Sequence, residues 1–247
     1  MAKTSKKLHW WLFALLTFVV FVLLQVPAAW LIAKFYKNNQ SLHNVSGNIW
    51  QGQADWKQGQ LRGTLTWSSR PLDLLLLRVA AQVQIDSGQT HVQGKVAYGL
   101  AKTLHIQQLN GEIAASTLQQ LTQWQWPSSS IRLQEINLKY QKQHGFAAAD
   151  GQLHWQGGNL QVPFSGRQER IDVPALQAQL KDQQNQLLLD VRDQREQKML
   201  NAGLDANLML DLQLTQRFLL NNPNYQGQAA MDSYVLSTRQ PLLRGAL

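Results

Sequence analysis

Three histidines fall within patterned stretches of the chain, His91, His105 and His154, and no H-E-x-x-H or His-x-His spacing joins any of them into a local metal site. Each sits where polar and apolar residues alternate, so a polar position on the wet face of a strand accounts for it. The 247 residues include no cysteine, which removes thiolate metal sites, disulfides and cysteine nucleophiles together. A serine hydrolase needs a G-x-S-x-G elbow. The nearest imitation is Ser165 in "FSGR", which reads as a turn serine. Asp150, Glu169 and Asp172 are available as a carboxylate pair for glycoside hydrolysis, yet acids scattered in this way ordinarily solvate loops. No glycine-rich phosphate loop of the mononucleotide or dinucleotide kind occurs. The residue types therefore point away from an enzyme, a bound metal or cofactor, and a small-molecule substrate.

The aromatic residues pose a different question. "VSGNIWQGQADWKQGQLRGTLTW" at 45–67 sets Trp50, Trp56 and Trp67 among Gly47, Gly52, Gly59 and Gly63. A glycan-binding reading stacks Trp50, Trp67, Trp124, Trp126 and Trp155 on sugar rings, and requires them exposed in a row with a carboxylate between them. The packing reading lays an indole over a neighbouring backbone where glycine has no Cβ, and lets glycine bend a sheet over its own core. "GTLTW" at 63–67, "GQLHW" at 151–155 and the looser "GKVAY" at 94–98 repeat the theme, which suggests pseudo-repeat halves at about 45–126 and 131–247.

These residues need elements to hold them, and the sequence favours strands. The chain carries 35 glutamines, many alternating with apolar residues. "AQVQID" (81–86), "HVQGKVAY" (91–98), "LHIQQL" (104–109), "LQAQLK" (176–181) and "NLMLDLQLT" (207–215) each show period two, one dry face and one wet. "IRLQEINLKY" at 131–140 alternates on both sides of Gln134 and Glu135 but changes phase between them, as a β-bulge requires. "DSGQ" at 86–89 and "QGGN" at 156–159 read as tight turns. Helical signals are short: Ser116 or Thr117 caps a helix ended by Pro127, and Thr215 opens another running to Leu220 before Pro223. The expected fold is mainly β, a curved, mostly antiparallel sheet with a few short helices, whether closed as a barrel, stacked as a sandwich or left as an open curl.

The formal charge is +8, but five of the 23 basic residues, Lys3, Lys6, Lys7, Lys34 and Lys37, flank one apolar segment. Residues 38–247 keep 18 basic against 15 acidic groups, dispersed and without a run that would track phosphates, so nucleic acid is not an expected partner. The segment itself, Leu8 to Ala33, has 26 residues without a formal charge. A helix of that length spans a bilayer, since about 20 residues at 1.5 Å rise cover about 30 Å of hydrocarbon. Trp10, Trp11, Trp30 and Tyr36 lie toward its ends, at headgroup level. Residues 1–7 are then cytoplasmic, 8–33 form one transmembrane helix interrupted by Pro27, Lys34 and Lys37 meet the headgroups, and 38–247 form a periplasmic domain. "VPAA" at 26–29 offers the alternative of a cleaved signal peptide, for which the apolar run is long.

"VSGNIWQG" at 45–52, with Gly47, Trp50 and Gly52, and "LTWSSRPLDLLLL" at 65–77, with Trp67, Pro71 and Leu72, resemble the type II secretion system protein N family. The overall plan is similar over about residues 8–240, although Ser69 stands where an apolar residue is expected between the tryptophan and the proline. The resemblance implies a non-enzymatic accessory component of the type II secretion machinery in a Gram-negative inner membrane, single-pass with a cytoplasmic N-terminus. It further implies other secretion components as partners, and carries over the six motif residues as structural positions. Tethering by the span would raise the domain's effective concentration for those partners, and an open sheet edge would offer them backbone groups. A periplasmic lipid-handling protein of the AsmA and TamB type is the alternative, and predicts an uncovered apolar groove.

Overall fold

The computed structural model describes residues 5–35, 41–69, 78–99, 101–121, 125–164 and 167–241. Lys37, Pro71, Leu72, Trp124 and Ser165 lie outside them. The uncharged N-terminal segment is not one helix. It forms α1 (Ser5–Gln25) and α2 (Ala28–Phe35), separated at Val26 and Pro27. Proline lacks the amide hydrogen that would continue the ladder, and it disfavours the α conformation in the residue before it. Here that break is used: Pro27 forms a β-bridge with Asn48, and the Ile49 amide donates to the Val26 carbonyl at 3.1 Å. The uncharged part of α1 is Leu8–Gln25, 18 residues and about 27 Å. Taken alone, and among the described residues, no helix is long and apolar enough to cross a membrane.

The rest is a β structure built by neighbour-to-neighbour pairing. Strands β1 (Leu42–Gly47), β2 (Gln51–Gln58), β3 (Leu61–Ser69), β4 (Arg78–Ser87), β5 (Thr90–Gly99) and β6 (Thr103–Ile113) run in order, followed by the short helix α3 (Ala115–Leu121). Next come β7 (Ile131–Gln141), β8 (Gly145–Trp155), β9 (Gly158–Phe164), β10 (Arg167–Val173), β11 (Leu176–Gln183), β12 (Gln186–Asp193), β13 (Lys198–Leu204) and β14 (Met209–Thr215). Helix α4 (Gln216–Leu219) and strand β15 (Tyr234–Pro241) complete the chain. Thirteen strands form one antiparallel sheet in the order β1 to β8 and then β11 to β15, while β9 and β10 pair only with each other. β1 and β15 stand at opposite edges and do not pair, so the sheet is open.

Glycine and tryptophan meet across strands. Gly52 pairs with Trp67 and Gly63 with Trp56. A Cβ at Gly52 would lie 2.5 Å from Trp67 Cζ2, and one at Gly63 2.6 Å from Trp56 Nε1. The indole occupies the space that a side chain would take. Trp67 then donates from Nε1 to the Asn48 carbonyl at 3.1 Å. Ser69 belongs in this corner for a polar reason: its amide and its hydroxyl both donate to the Trp50 carbonyl, at 2.6 and 3.1 Å.

The phase change expected at Gln134 and Glu135 is present, with the β7–β8 register shifting between Gln134 and Asn137. It belongs to a set. β6 shifts against β7 on both sides of Leu109, and Gln108, Glu135 and Ala148 take positive φ of 51°, 49° and 47°. Each bulge adds a residue to one strand and steepens the local twist.

One face of the sheet is dry. Leu133, Ile136, Ala149 and Leu180 form a buried cluster over β7, β8 and β11. A second, made of Leu160, Ile171, Val173, Leu176, Val191, Met199 and Phe218, lies over β11 to β13, with Leu189 packed against both. Gln134, Gln152, Gln177 and Gln179 point the other way and are exposed. The alternating glutamines thus solvate the outer face.

Candidate functional site: an apolar cavity and a free sheet edge

The excursion between β8 and β11 creates the site. "QGGN" is not the tight turn expected there. Gln156 and Gly157 only link β8 to β9, and Gly158 and Asn159 already belong to β9. The link leads out of the sheet, with Gly157 and Gly158 at φ of +73° and +127° and no room for a Cβ at Gly157 beside the Val173 and Pro174 carbonyls. The chain lifts off β8, makes the β9–β10 hairpin over the dry face, and returns to pair β11 with β8. Three ties hold the hairpin. Gln125 and Gln161 exchange backbone hydrogen bonds of 2.9 and 3.1 Å, the Asp172 amide donates to the Asn221 carbonyl at 3.4 Å, and Asn222 donates to the Glu169 carboxylate.

Between hairpin, α4 and sheet lies a cavity of about 660 Å³. Val191, Leu200, Leu212 and Leu214 rise into it from β12 to β14, Leu160 and Ile171 come from the hairpin, and Phe218 and Leu219 from α4. Trp126 and Trp155 close one end, edge to face with centroids 5.4 Å apart. Polar groups are few: Glu169, Asn222, Asn224 and Tyr225, with His154 and, from the last strand of the sheet, Thr238. Trp155 Nε1 is buried with no hydrogen-bond partner among the described residues. Against the other side of Trp155, His154 and Leu176 sits a second, polar pocket of about 390 Å³, lined also by Ser128, Ser129 and Arg132.

Helix α4 is positioned from its first residue. Thr215 is fully buried; its hydroxyl donates to the Met199 carbonyl at 2.6 Å and accepts the Phe218 amide at 3.2 Å. It is the cap that the sequence predicts. Beyond α4 the chain returns as β15, paired with β14 on one side only. Tyr234, Val235 and Leu236 are exposed there, Leu236 to 43 %. At the opposite edge β1 runs beside α2, and the Pro27–Asn48 bridge lies just past its end. Both edge strands are paired on one side only, and β15 is the one without α2 beside it. Sequence reasoning singled out neither β15 nor the hairpin, although the apolar run Tyr234 to Leu236 was the available signal.

Several charged groups are held by hydrogen bonds and ion pairs. Hydrogen bonds from His91 and Gln84 hold the Asp86 carboxyl below the usual carboxylate range. Asp205 is lowered by the amides of Met209 and Asn207 and by Arg239, whose Nη2 lies 2.7 Å away. Hydrogen bonding to Asp190 raises Arg192, and Tyr234 raises Lys198, whose Nζ stands 4.7 Å over that ring. Among the described residues no three His, Cys, Asp or Glu side chains gather as a metal site. His154 pairs with Gln134, Glu169 with Asn222 and Asp172 with Asn159.

Among the described residues the candidate tryptophans do not form an exposed row. Trp50, Trp67, Trp126 and Trp155 are half-buried, the first two at the glycine corner, the others at the cavity. Gly47, Trp50, Gly52 and Trp67 come together at the β1–β2–β3 corner. At the N-terminus every α1 side chain described is exposed, Trp10 to 75 % and Trp11 to 76 %, and in α2 the Lys34 ammonium lies 4.8 Å from the Trp30 ring centroid.

Compared with known proteins, residues 38–233 match the family model described as type II secretion system (T2SS), protein N. No curated protein and no solved structure matches the chain.

Proposed function

The chain belongs to the type II secretion system protein N family, and from that membership we propose that it works as a non-catalytic accessory component that holds a binding domain at the inner membrane. The family match over residues 38–233 carries this reading. In it, α1 and α2 act together as the anchor. α1 is apolar and exposed along its described length, as suits a helix in lipid rather than water. α2 adds Trp30 and Lys34, an aromatic and a cation of the kind that sit at headgroups. Lys6 and Lys7 precede the apolar run, which favours a cytoplasmic start and a periplasmic sheet.

Other secretion components are the expected partners, and the unpaired edge of β15 is where we place their contact. A free edge presents backbone donors and acceptors in a row, and strand addition uses them directly. The test is a photo-crosslinking amino acid at Ser237 in the full chain, produced in cells that carry the secretion machinery. Adducts with a secretion component are expected from β15 and not from Gln152 on the outer face. Adducts absent from β15, or equal at both places, would overturn the edge contact. For topology, a phosphatase active only in the periplasm is fused after Leu247 and is expected to be active. Activity of a cytosol-only reporter there would refute the anchor.

A further inference from the structure

We propose that the cavity beneath the β9–β10 hairpin is a binding site for an acyl chain of a membrane phospholipid, with the oxygen-bearing head at the strand ends where Trp155, His154 and Arg132 meet. This goes beyond the secretion role and uses none of it except the placement of the domain beside a bilayer.

The cavity's shape and lining select the occupant. At about 660 Å³ it falls among ordinary ligand sites of roughly 300–1,000 Å³, which are mainly apolar with a few placed polar groups. A helix about 10 Å across would fill that volume in about 8 Å, less than two turns, so a helix of a partner is a poor fit. An extended peptide fits no better. The strands of the floor, β11 to β14, are hydrogen-bonded on both sides, and leave no backbone free for a guest. A peptide would bury amides among Leu189, Leu200 and Leu214 without partners, a costly arrangement. A methylene chain has no polar groups to satisfy and gains from every carbon removed from water.

The head is placed by an unmet donor. Trp155 lines both the apolar cavity and the polar pocket, and its Nε1 is buried without a partner among the described residues. Buried polar atoms are nearly always paired. Trp56 Nε1 and Asp190 Oδ1 are unmet as well, but of the three only Trp155 belongs to a wall of these cavities, where a small turn of the indole brings its N–H to a ligand oxygen. Arg132 lines the polar pocket and adds several donors, opposite the Glu112 carboxylate, its cross-strand partner. An uncharged ester oxygen beside an acyl chain suits both groups. The exposed apolar surface of α1 supplies the route, because it keeps this domain beside a reservoir of such lipids.

The experiment uses the full chain in nanodiscs of phosphatidylethanolamine and phosphatidylglycerol, doped with a phospholipid carrying a diazirine in its acyl chain. After illumination, labelled peptides are mapped by mass spectrometry. Labelling is expected both on α1, in contact with the bilayer, and on β12 to β14. Ala178→Trp, which fills the cavity, should cut the β12–β14 label at least tenfold and leave the α1 label unchanged. Trp155→Phe keeps a ring and removes the N–H, and should cut it several-fold. Label confined to α1 in the unsubstituted chain would overturn the proposal whatever the variants do. So would a β12–β14 label that Ala178→Trp leaves intact in a protein of unchanged circular dichroism, or a protein segment crosslinked in the cavity in place of lipid. Cargo secretion is not read, so the result stands apart from the secretion role.

Discussion

Asn110 and Asn137 clasp each other's strands: Asn110 Oδ1 accepts the Glu135 amide at 2.8 Å, and Asn137 Oδ1 accepts the Gln108 amide at 2.9 Å. Each also donates from Nδ2 to the carbonyl two residues before it, Gln108 or Glu135. The two bulges therefore satisfy one another. Asn137→Ala strips the Gln108 amide of its acceptor and is expected to cost about 1 kcal/mol. The double variant with Asn110→Ala should cost less than the sum of the single losses. Urea midpoints of the full chain in mild detergent measure both.

Glu135 holds φ of 49° in the same bulge. Glycine adopts that region without a Cβ clash, though it enlarges the unfolded ensemble. Glu135→Gly is expected to leave stability within about 0.5 kcal/mol of the parent. By contrast, a loss of more than about 2 kcal/mol in the same titration would show that the side chain, and not the backbone angle, maintains the bulge.

At the glycine corner the sign is reversed. Gly52→Ala drives a methyl into Trp67 and the Ser46 carbonyl, and a loss of about 1–3 kcal/mol is expected from overpacking. Gly99→Ala is the control, because a Cβ there meets nothing within 4 Å. Equal midpoints for the two variants would contradict the packing of indole on glycine.

Thr215 joins β13 to α4, and with it one wall of the cavity. Thr215→Val retains the shape and loses both hydrogen bonds, so a cost of about 1–3 kcal/mol is expected, with Thr215→Ser falling closer to the parent. Thermal melts rank the three. A valine variant as stable as the parent would remove the cap from the account.

Asp205 gives a pH signature. Its carboxyl is held below the ordinary value of 3.8, first by the Met209 amide and then by Asn207 and Arg239. A depressed folded value means that the stabilisation is complete above the unfolded value and is lost as pH falls through the folded one. Stability of the parent should thus drop below about pH 4, and Asp205→Asn should show a shallower drop over that window. Parallel curves for the two proteins would show that Asp205 has the same affinity for protons folded and unfolded.

Much of this was legible in the chain because it is local. The change of phase around Gln134 and Glu135 gave the bulge, Thr215 before an apolar turn gave the cap, and indoles beside glycines gave the corner. The rest depends on distant pairs. "QGGN" reads the same whether the next strand pairs with β8 or lifts away, and only the docking of Leu160 and Ile171 over β11 to β13 decides it. Pro27 was visible inside the apolar segment, but a membrane helix tolerates proline. The break follows from Asn48, 21 residues on, which takes Pro27 into a β-bridge. The cavity had no sequence signal, since its leucines look like any dry strand face.

The two flanks of the sheet are unlike, since β1 runs beside α2 whereas β15 faces outward with its backbone unpaired. Two copies of such a chain would therefore meet through unlike ends, one with a helix beside it and one without. A visiting strand that took the open side of β15 would lengthen the ladder by a rung on the flank away from α2.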